Sequence, residues 1–267
     1  MTVAIYFCEP AYAYSPYIAE LWNTLSSLAY CLAGGAYLVE LWKVRNFFPP
    51  GTIWKFILLG VSIIAIGIGS ALLHGTQTWW GELADELSML AGALSFLFCQ
   101  EDLHPLTSGS RRFWFYGTAC ASVAVVTAMY LIIFIHGIFA TLFAAMVGLS
   151  ITIFSTSPLH SALAAAKFKL RVGKRLAESV YGPRFMLGTV LAVVGFATWT
   201  VDQTCVRMQW RDTPLGWLYI FHSAWHLLTA AGAWVFLNLI LQVRVNMKSS
   251  PFERSKSGSF VPRNFKD

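Results

Sequence analysis

The sequence predicts an all-α membrane protein, a bundle of seven transmembrane helices. Hydrophobic residues make up 57% of the 267 residues and charged residues only 12%, which excludes an ordinary soluble globular domain. Apolar runs long enough to cross about 30 Å of hydrocarbon as helices recur along the chain. The basic residues are concentrated in alternate connections between these runs, as expected of a chain that crosses the membrane repeatedly.

The predicted helices follow one another in chain order. They are Leu21–Leu41, Trp54–Leu73, Leu83–Phe98, Trp114–Ile135, Phe139–Phe154, Phe185–Val201 and Trp217–Val243. The third and fifth runs are short, which calls for adjusted tilt or local thinning of the bilayer. Residues 1–20 are then a lumenal N-terminal segment, residues 21–243 the membrane domain, and residues 244–267 a basic tail whose polar composition predicts disorder.

Lysines and arginines predict the orientation, because short loops rich in them stay on the cytoplasmic side. Of the 19 lysines and arginines, all except Arg207 and Arg211 fall on one side when the predicted helices are threaded through the membrane. We therefore expect a lumenal or extracellular N-terminus and a cytosolic C-terminus.

Two histidines four residues apart, His222 and His226, interrupt the last apolar run. Ionisable side chains at membrane depth are costly and mark functional sites. This spacing places both rings on one face of a helix, where such pairs supply two ligands of catalytic zinc. Histidines also hydrogen-bond between membrane helices, so the pair alone predicts either a metal site or a structural contact.

Other polar side chains fall at the same depth, near the lumenal face. Ser70 and His74 lie one turn apart at the end of the second predicted helix, and Asp85 lies in the first turn of the third. Asp202 closes the sixth at the same level. Several polar side chains at one depth are costly in lipid. They therefore favour a metal site in which His74 joins the two histidines of the last helix.

Five motifs in chain order carry a family resemblance. They are Tyr17-Ile-Ala-Glu-Leu-Trp-Asn-Thr, Gly69-Ser-Ala-Leu-Leu-His, Asp85-Glu-Leu-Ser-Met, Trp199-Thr-Val-Asp and Phe221-His-Ser-Ala-Trp-His-Leu-Leu-Thr. In this order and spacing they resemble the motifs of the alkaline ceramidase family, which lies in a wider superfamily with adiponectin-receptor-type proteins. The resemblance implies a seven-helix, zinc-dependent hydrolase that cleaves ceramide into a sphingoid base and a fatty acid, in the endoplasmic reticulum or Golgi.

The resemblance also implies roles for single residues. Matching by position makes Asp85 the acid that holds the water and Ser70 the serine beside the metal, with Asp202 supporting the site from behind a ligand. The zinc ligands it implies are His74, His222 and His226.

Cys8 and Cys205 both fall on the predicted lumenal side, where an oxidising compartment permits a disulfide. Two unpaired thiols are the alternative from the residues alone. The family resemblance implies the disulfide, because both cysteines match its positions.

The calcium site that the family offers in its N-terminal segment is incomplete here. Glu9 and Glu20 match two of its acidic ligands, but Tyr6 and Ala11 stand where two further oxygen ligands belong. Calcium takes about six to eight oxygens, so we expect a weak site at best and no strong calcium dependence. Glu20 has a second interpretation as an acid at a helix start, where the macrodipole favours negative charge.

Two other functions stay open at this point. One is a related heptahelical hydrolase acting on another lipid amide or ester, and the other is a non-catalytic heptahelical receptor or transporter built on the same buried polar cluster. A retinal-binding pump is excluded, because the last predicted helix has no lysine for a Schiff base. The expected partners are ceramide and the bilayer; the sequence predicts no nucleic-acid partner and indicates no protein partner.

Overall fold

The computed structural model describes residues 6–48, 51–103, 110–133, 146, 181–249, 252–254 and 260–262. Within these residues the chain forms six α-helices: α1 (Leu21–Lys43), α2 (Ile53–Thr76), α3 (Trp79–Leu103), α4 (Ser110–Ile133), α5 (Tyr181–Arg207) and α6 (Ile220–Ser249). Among the described helices, four are long and apolar enough to cross a membrane, and they correspond to α1, α2, α5 and α6. The predicted all-helical membrane class is thereby confirmed. The predicted fifth helix, Phe139–Phe154, lies outside the described residues except for Met146.

Several helices are longer than their apolar runs. The ends of a helix are set by its backbone hydrogen bonds, which continue past the last apolar residue. The carbonyl oxygen of Thr78 accepts from the amide of Glu82 at 3.0 Å, and α3 therefore begins at Trp79 and runs for 25 residues. The prediction of a short third helix is wrong, and Asp85 lies in the second turn instead of the first. Likewise α5 continues past Asp202, which lies within the helix and not at its end.

The helices pack in a simple neighbour pattern: α1 contacts α2 and α6, α2 contacts α3, and α5 contacts α6. Small residues permit the closest approach, as is typical of membrane helices. At Gly34, an added Cβ would lie 2.8 Å from the carbonyl oxygen of Gly60, so α1 and α2 touch through their backbones there. Large apolar side chains, including Tyr37, Phe56 and Leu237, fill the core beyond this contact.

One end of the bundle gathers the polar residues. The N-termini of α1, α3 and α6 meet the C-termini of α2 and α5 there, and residues 6–20 lie over them. A disulfide joins Cys8 to Cys205 of α5, with a Cα–Cα distance of 5.8 Å, as predicted.

The C-terminal region contains more regular structure than predicted. No glycine or proline lies between Val243 and Pro251, and α6 runs on to Ser249, beyond the predicted boundary at residue 243. Phe252–Arg254 then pairs antiparallel with Phe260–Pro262, inside the segment predicted to be disordered.

Candidate active site

Three histidines from two helices meet at the polar end of the bundle. His74 of α2 and His222 and His226 of α6 each offer a ring nitrogen, and the three nitrogens lie within 4.8 Å of one another. The ring centroids are 4.7 to 5.0 Å apart. All three side chains are buried, with exposed fractions of 1 to 3%. The structure thus brings together the three histidines predicted as metal ligands, and the trio can hold a metal ion.

Two buried carboxylates face the Nδ1 atoms of this trio. Glu20 Oε2 lies 2.6 Å from Nδ1 of His74, and Asp202 Oδ2 lies 3.3 Å from Nδ1 of His222 without hydrogen-bond geometry. An ionised carboxylate only accepts hydrogen bonds, so Glu20 keeps a proton on Nδ1 of His74 and leaves its Nε2 available as a ligand. The negative charge of Asp202 favours the same tautomer of His222. Carboxylates behind ligating histidines are the usual means of fixing ring orientation in metal sites.

A serine serves the same purpose for the third histidine. Ser26 Oγ donates to the carbonyl oxygen of Asn23 at 3.0 Å, and therefore accepts from Nδ1 of His226, 2.9 Å away. Its single proton cannot serve both contacts. The lone pair on Nε2 of His226 is consequently directed away from α1, and Ser70 Oγ lies 3.4 Å from that nitrogen. The donor set fits a metal that takes three neutral imidazoles.

Ser70 and Asp85 are held together where α2 and α3 are in contact. An added Cβ on Gly69 would lie 2.6 Å from the carbonyl oxygen of Ala84, so the two backbones nearly touch. The Ser70 hydroxyl and the His74 ring both lie close enough to the Asp85 carboxylate to act on its charge. Ser27 Oγ lies 2.9 Å from Ser70 Oγ. The predicted base and the predicted serine are therefore neighbours beside the histidines.

Phe7 closes the histidine cluster on the side of the N-terminal segment. Its ring centroid lies 4.5 Å from that of His74 and 4.3 Å from that of His222, and only 6% of the residue is exposed. Arg211 donates to the carbonyl oxygens of Phe7 and Cys8. The segment is thus fixed over the rings.

Comparison with known proteins decides the family. The Ceramidase family model matches residues 1–261. The chain belongs to the ceramidase family. An alkaline ceramidase of Saccharomyces cerevisiae is 26% identical over 91% of this chain and 77% of its own length. The alkaline ceramidase of Arabidopsis thaliana is 25% identical, covering 93% and 86%, and alkaline ceramidase 3 of Mus musculus is 23% identical, covering 91% and 84%. Membership confirms the resemblance and the prediction of a ceramidase-type hydrolase.

The two predicted calcium ligands of this ceramidase-family chain make other contacts. Both oxygens of Glu9 accept from the backbone, from the amides of Trp22 and Asn23 at 2.9 Å each. These are the second and third residues of α1, so Glu9 caps the helix from a distant part of the chain. Burial raises the pKa of the Glu9 carboxyl above its ordinary value, and the two amides partly oppose that rise.

Sequence reasoning missed the residues of α1 that support the ceramidase site. Asn23, Ser26 and Ser27 lie three or four residues apart along a largely apolar helix, on the face that follows Glu20, for which only a calcium or helix-start role was predicted. That spacing was the available signal, because a polar face on a membrane helix indicates partners inside the bundle.

Proposed function

We propose that this ceramidase-family chain is a zinc-dependent intramembrane hydrolase that cleaves the amide bond of ceramide into a sphingoid base and a free fatty acid. The observation that carries the proposal is the buried trio of histidines, whose three ring nitrogens lie within 4.8 Å of one another. Catalytic zinc takes three protein ligands and keeps a further position open. The relatives named alkaline ceramidases supply the substrate class.

The roles of the remaining residues follow from their positions. A zinc ion held by the histidines supplies Lewis acidity that polarises a carbonyl and makes water more acidic. Asp85 accepts the proton of the attacking water and passes it to the amide nitrogen as the C–N bond breaks. Ser70, beside both Asp85 and His226, donates a hydrogen bond to the oxygen on which negative charge develops.

The proposal includes seven membrane-spanning helices, a lumenal N-terminus and a cytosolic basic tail. Basic residues support this orientation, because they lie at helix ends remote from the histidines, namely Lys43, Lys55, Arg184 and Arg244. The site then lies level with the lumenal headgroups, where the amide of a lipid meets the metal while its hydrocarbon chains stay among the helices. The compartment is the endoplasmic reticulum or Golgi.

The purified full chain in detergent tests the proposal. It should contain about one zinc per molecule and release sphingoid base from ceramide. His226→Ala should lose both zinc and activity, whereas Asp85→Asn should keep zinc and lose activity. Asp212→Asn, a change at an exposed aspartate outside the cluster, is the matched control and should behave as the wild type.

Each failure has a distinct meaning. An active protein without zinc would overturn the metal mechanism. Zinc-loaded protein that hydrolyses a different lipid amide or ester, and leaves ceramide intact, would overturn the substrate alone. Zinc-loaded protein without hydrolase activity would favour the receptor or transporter.

A further inference from the structure

Both oxygens of the Glu20 carboxylate are engaged by side chains. Oε2 accepts from His74 Nδ1 at 2.6 Å and from Asn23 Nδ2 at 3.0 Å, while Oε1 accepts from Gln77 Nε2 at 2.6 Å. Glu20 is fully buried. An ionised carboxylate only accepts, so the amide of Gln77 must present its NH₂ group to it. Glu20 is therefore held from one side by Gln77 while it holds His74 on the other.

Gln77 is placed for this contact by an uncommon backbone conformation. It follows the last residue of α2 with φ 46° and ψ 43°, the left-handed region, and its amide donates to the carbonyl oxygen of Leu73 at 2.7 Å. Glycine is the residue that adopts this region most readily, and a glutamine there is uncommon. The residue ends α2 and at the same time directs its side chain to the start of α1.

A calcium ion does not fit these residues. At Glu20 Oε1 a cation would meet the hydrogens of the Gln77 amide, and at both oxygens of Glu9 it would meet backbone N–H groups. Asn23 is no better placed, because its Oδ1 already accepts from Ser223 Oγ at 2.9 Å. Calcium requires about six to eight oxygens, and the side chains here present theirs to hydrogen-bond donors instead.

We propose that Gln77 does in this chain what a calcium ion would do: its amide holds Glu20 against His74, so the histidine site forms without calcium. Gln77 is thus a positioning residue that acts on the metal ligand through Glu20. The inference rests on the proposed metal site, but it concerns a different ion and has its own measurements.

The first experiment uses the zinc-loaded wild-type chain in detergent. Equilibrium dialysis with radioactive calcium at about 1 mM, enough to fill even weak protein sites, should detect no stoichiometric binding. Zinc retention should be the same with and without that calcium. Stoichiometric calcium binding, or loss of zinc when calcium is removed, would overturn the proposal.

The second experiment is the substitution Gln77→Glu, which keeps the length of the side chain and replaces the donor by a second carboxylate. Without calcium the two carboxylates repel, Glu20 leaves His74, and zinc affinity should fall by about tenfold or more. Calcium at about 1 mM bridges them and should restore zinc retention. A mere packing role for Gln77 would give no such rescue.

Gln209→Glu is the matched control. Gln209 also follows a helix in the left-handed region, at φ 55°, but it is exposed. The substitution Gln209→Glu should leave zinc retention unchanged with or without calcium. Wild-type zinc retention by Gln77→Glu in calcium-free buffer, or a loss that calcium does not repair, would overturn the proposal. A variant that does not fold leaves the wild-type calcium measurement to decide.

The two proposals fail separately. If the wild type binds no zinc under any condition, the proposed function is wrong, and calcium binding still tests the role of Gln77. If zinc is present only when calcium is present, the zinc mechanism stands and the inference about Gln77 fails.

Discussion

The backbone amide of Cys8 donates to Asp202 Oδ1 at 3.0 Å, and the other oxygen of that carboxylate lies 3.3 Å from Nδ1 of His222. The same Cys8 is bonded to Cys205, about one turn further along α5. The disulfide therefore holds Cys8 against Asp202, whose carboxylate lies beside one histidine of the site.

We expect Cys205→Ser to lower both stability and zinc retention. The disulfide joins residues 197 positions apart, and loss of a native disulfide costs about 2–5 kcal/mol of unfolding free energy. Thermal unfolding followed by tryptophan fluorescence measures the first effect, and the rate of zinc loss to a chelator measures the second. Cys120→Ser, which removes an exposed free thiol, is the control. Equal zinc-loss rates for the two variants would contradict the link between disulfide and site.

Asp202→Asn should weaken zinc binding by about 10–100-fold, the usual effect of losing a carboxylate behind a ligating histidine. The amide has a similar shape but no charge to hold the proton on Nδ1 of His222. Competition with a fluorescent zinc chelator measures the affinity. If Asp202→Asn binds zinc as tightly as Asp212→Asn, the contact has no part in metal binding.

Gly69→Ala should separate α2 from α3 and reduce hydrolysis. Its Cβ would lie 2.8 Å from the backbone nitrogen of Asp85, so the helices have to move apart and Ser70 is displaced from Asp85. Gly35→Ala is the opposite case, because nothing lies within 4 Å of its Cβ, and it should raise helix stability by about 1 kcal/mol. Ceramide hydrolysis and thermal unfolding of both variants test this. Full activity in Gly69→Ala would show that the close contact is dispensable.

Ser70→Ala should lower kcat by about 10²–10³-fold, the range seen when one oxyanion donor is removed. Zinc content should stay at the wild-type level, because Ser70 is not a ligand. Ser62→Ala is the control on the same helix, since Ser62 Oγ donates to the carbonyl oxygen of Leu58 at 2.8 Å, two turns from the site. A proportionate loss of zinc and activity in Ser70→Ala would instead assign Ser70 a structural role.

The histidine trio could be predicted from sequence because buried polar side chains are rare in membrane helices. Those that fall at one depth are therefore expected to lie together. The partners behind the rings could not be predicted. Ser26 and His226 are 200 residues apart, and only folding shows that they meet. The role of Gln77 could not be predicted for another reason. A glutamine just after a helix has many possible side-chain orientations, and its residue type does not indicate a left-handed backbone.

Helix ends were the least predictable part of the fold. Hydropathy stops at the acidic and aromatic residues that begin α3, whereas hydrogen bonding carries the helix through them from Trp79. The second-turn position of Asp85 follows from that extension. The set of residues that meet at one end of the bundle was predicted better than their positions within a turn.

The ring of Phe7 covers His74 and His222, and we expect this cover to act on the rate at which a metal held there exchanges. We expect a hydrophilic chelator on that side to reach the histidines faster when residues 6–20 are less firmly held. The neighbouring disulfide at Cys8 ties this segment to α5. If the trio holds the proposed zinc, we expect a thiol reductant to speed its exchange without altering a ligand.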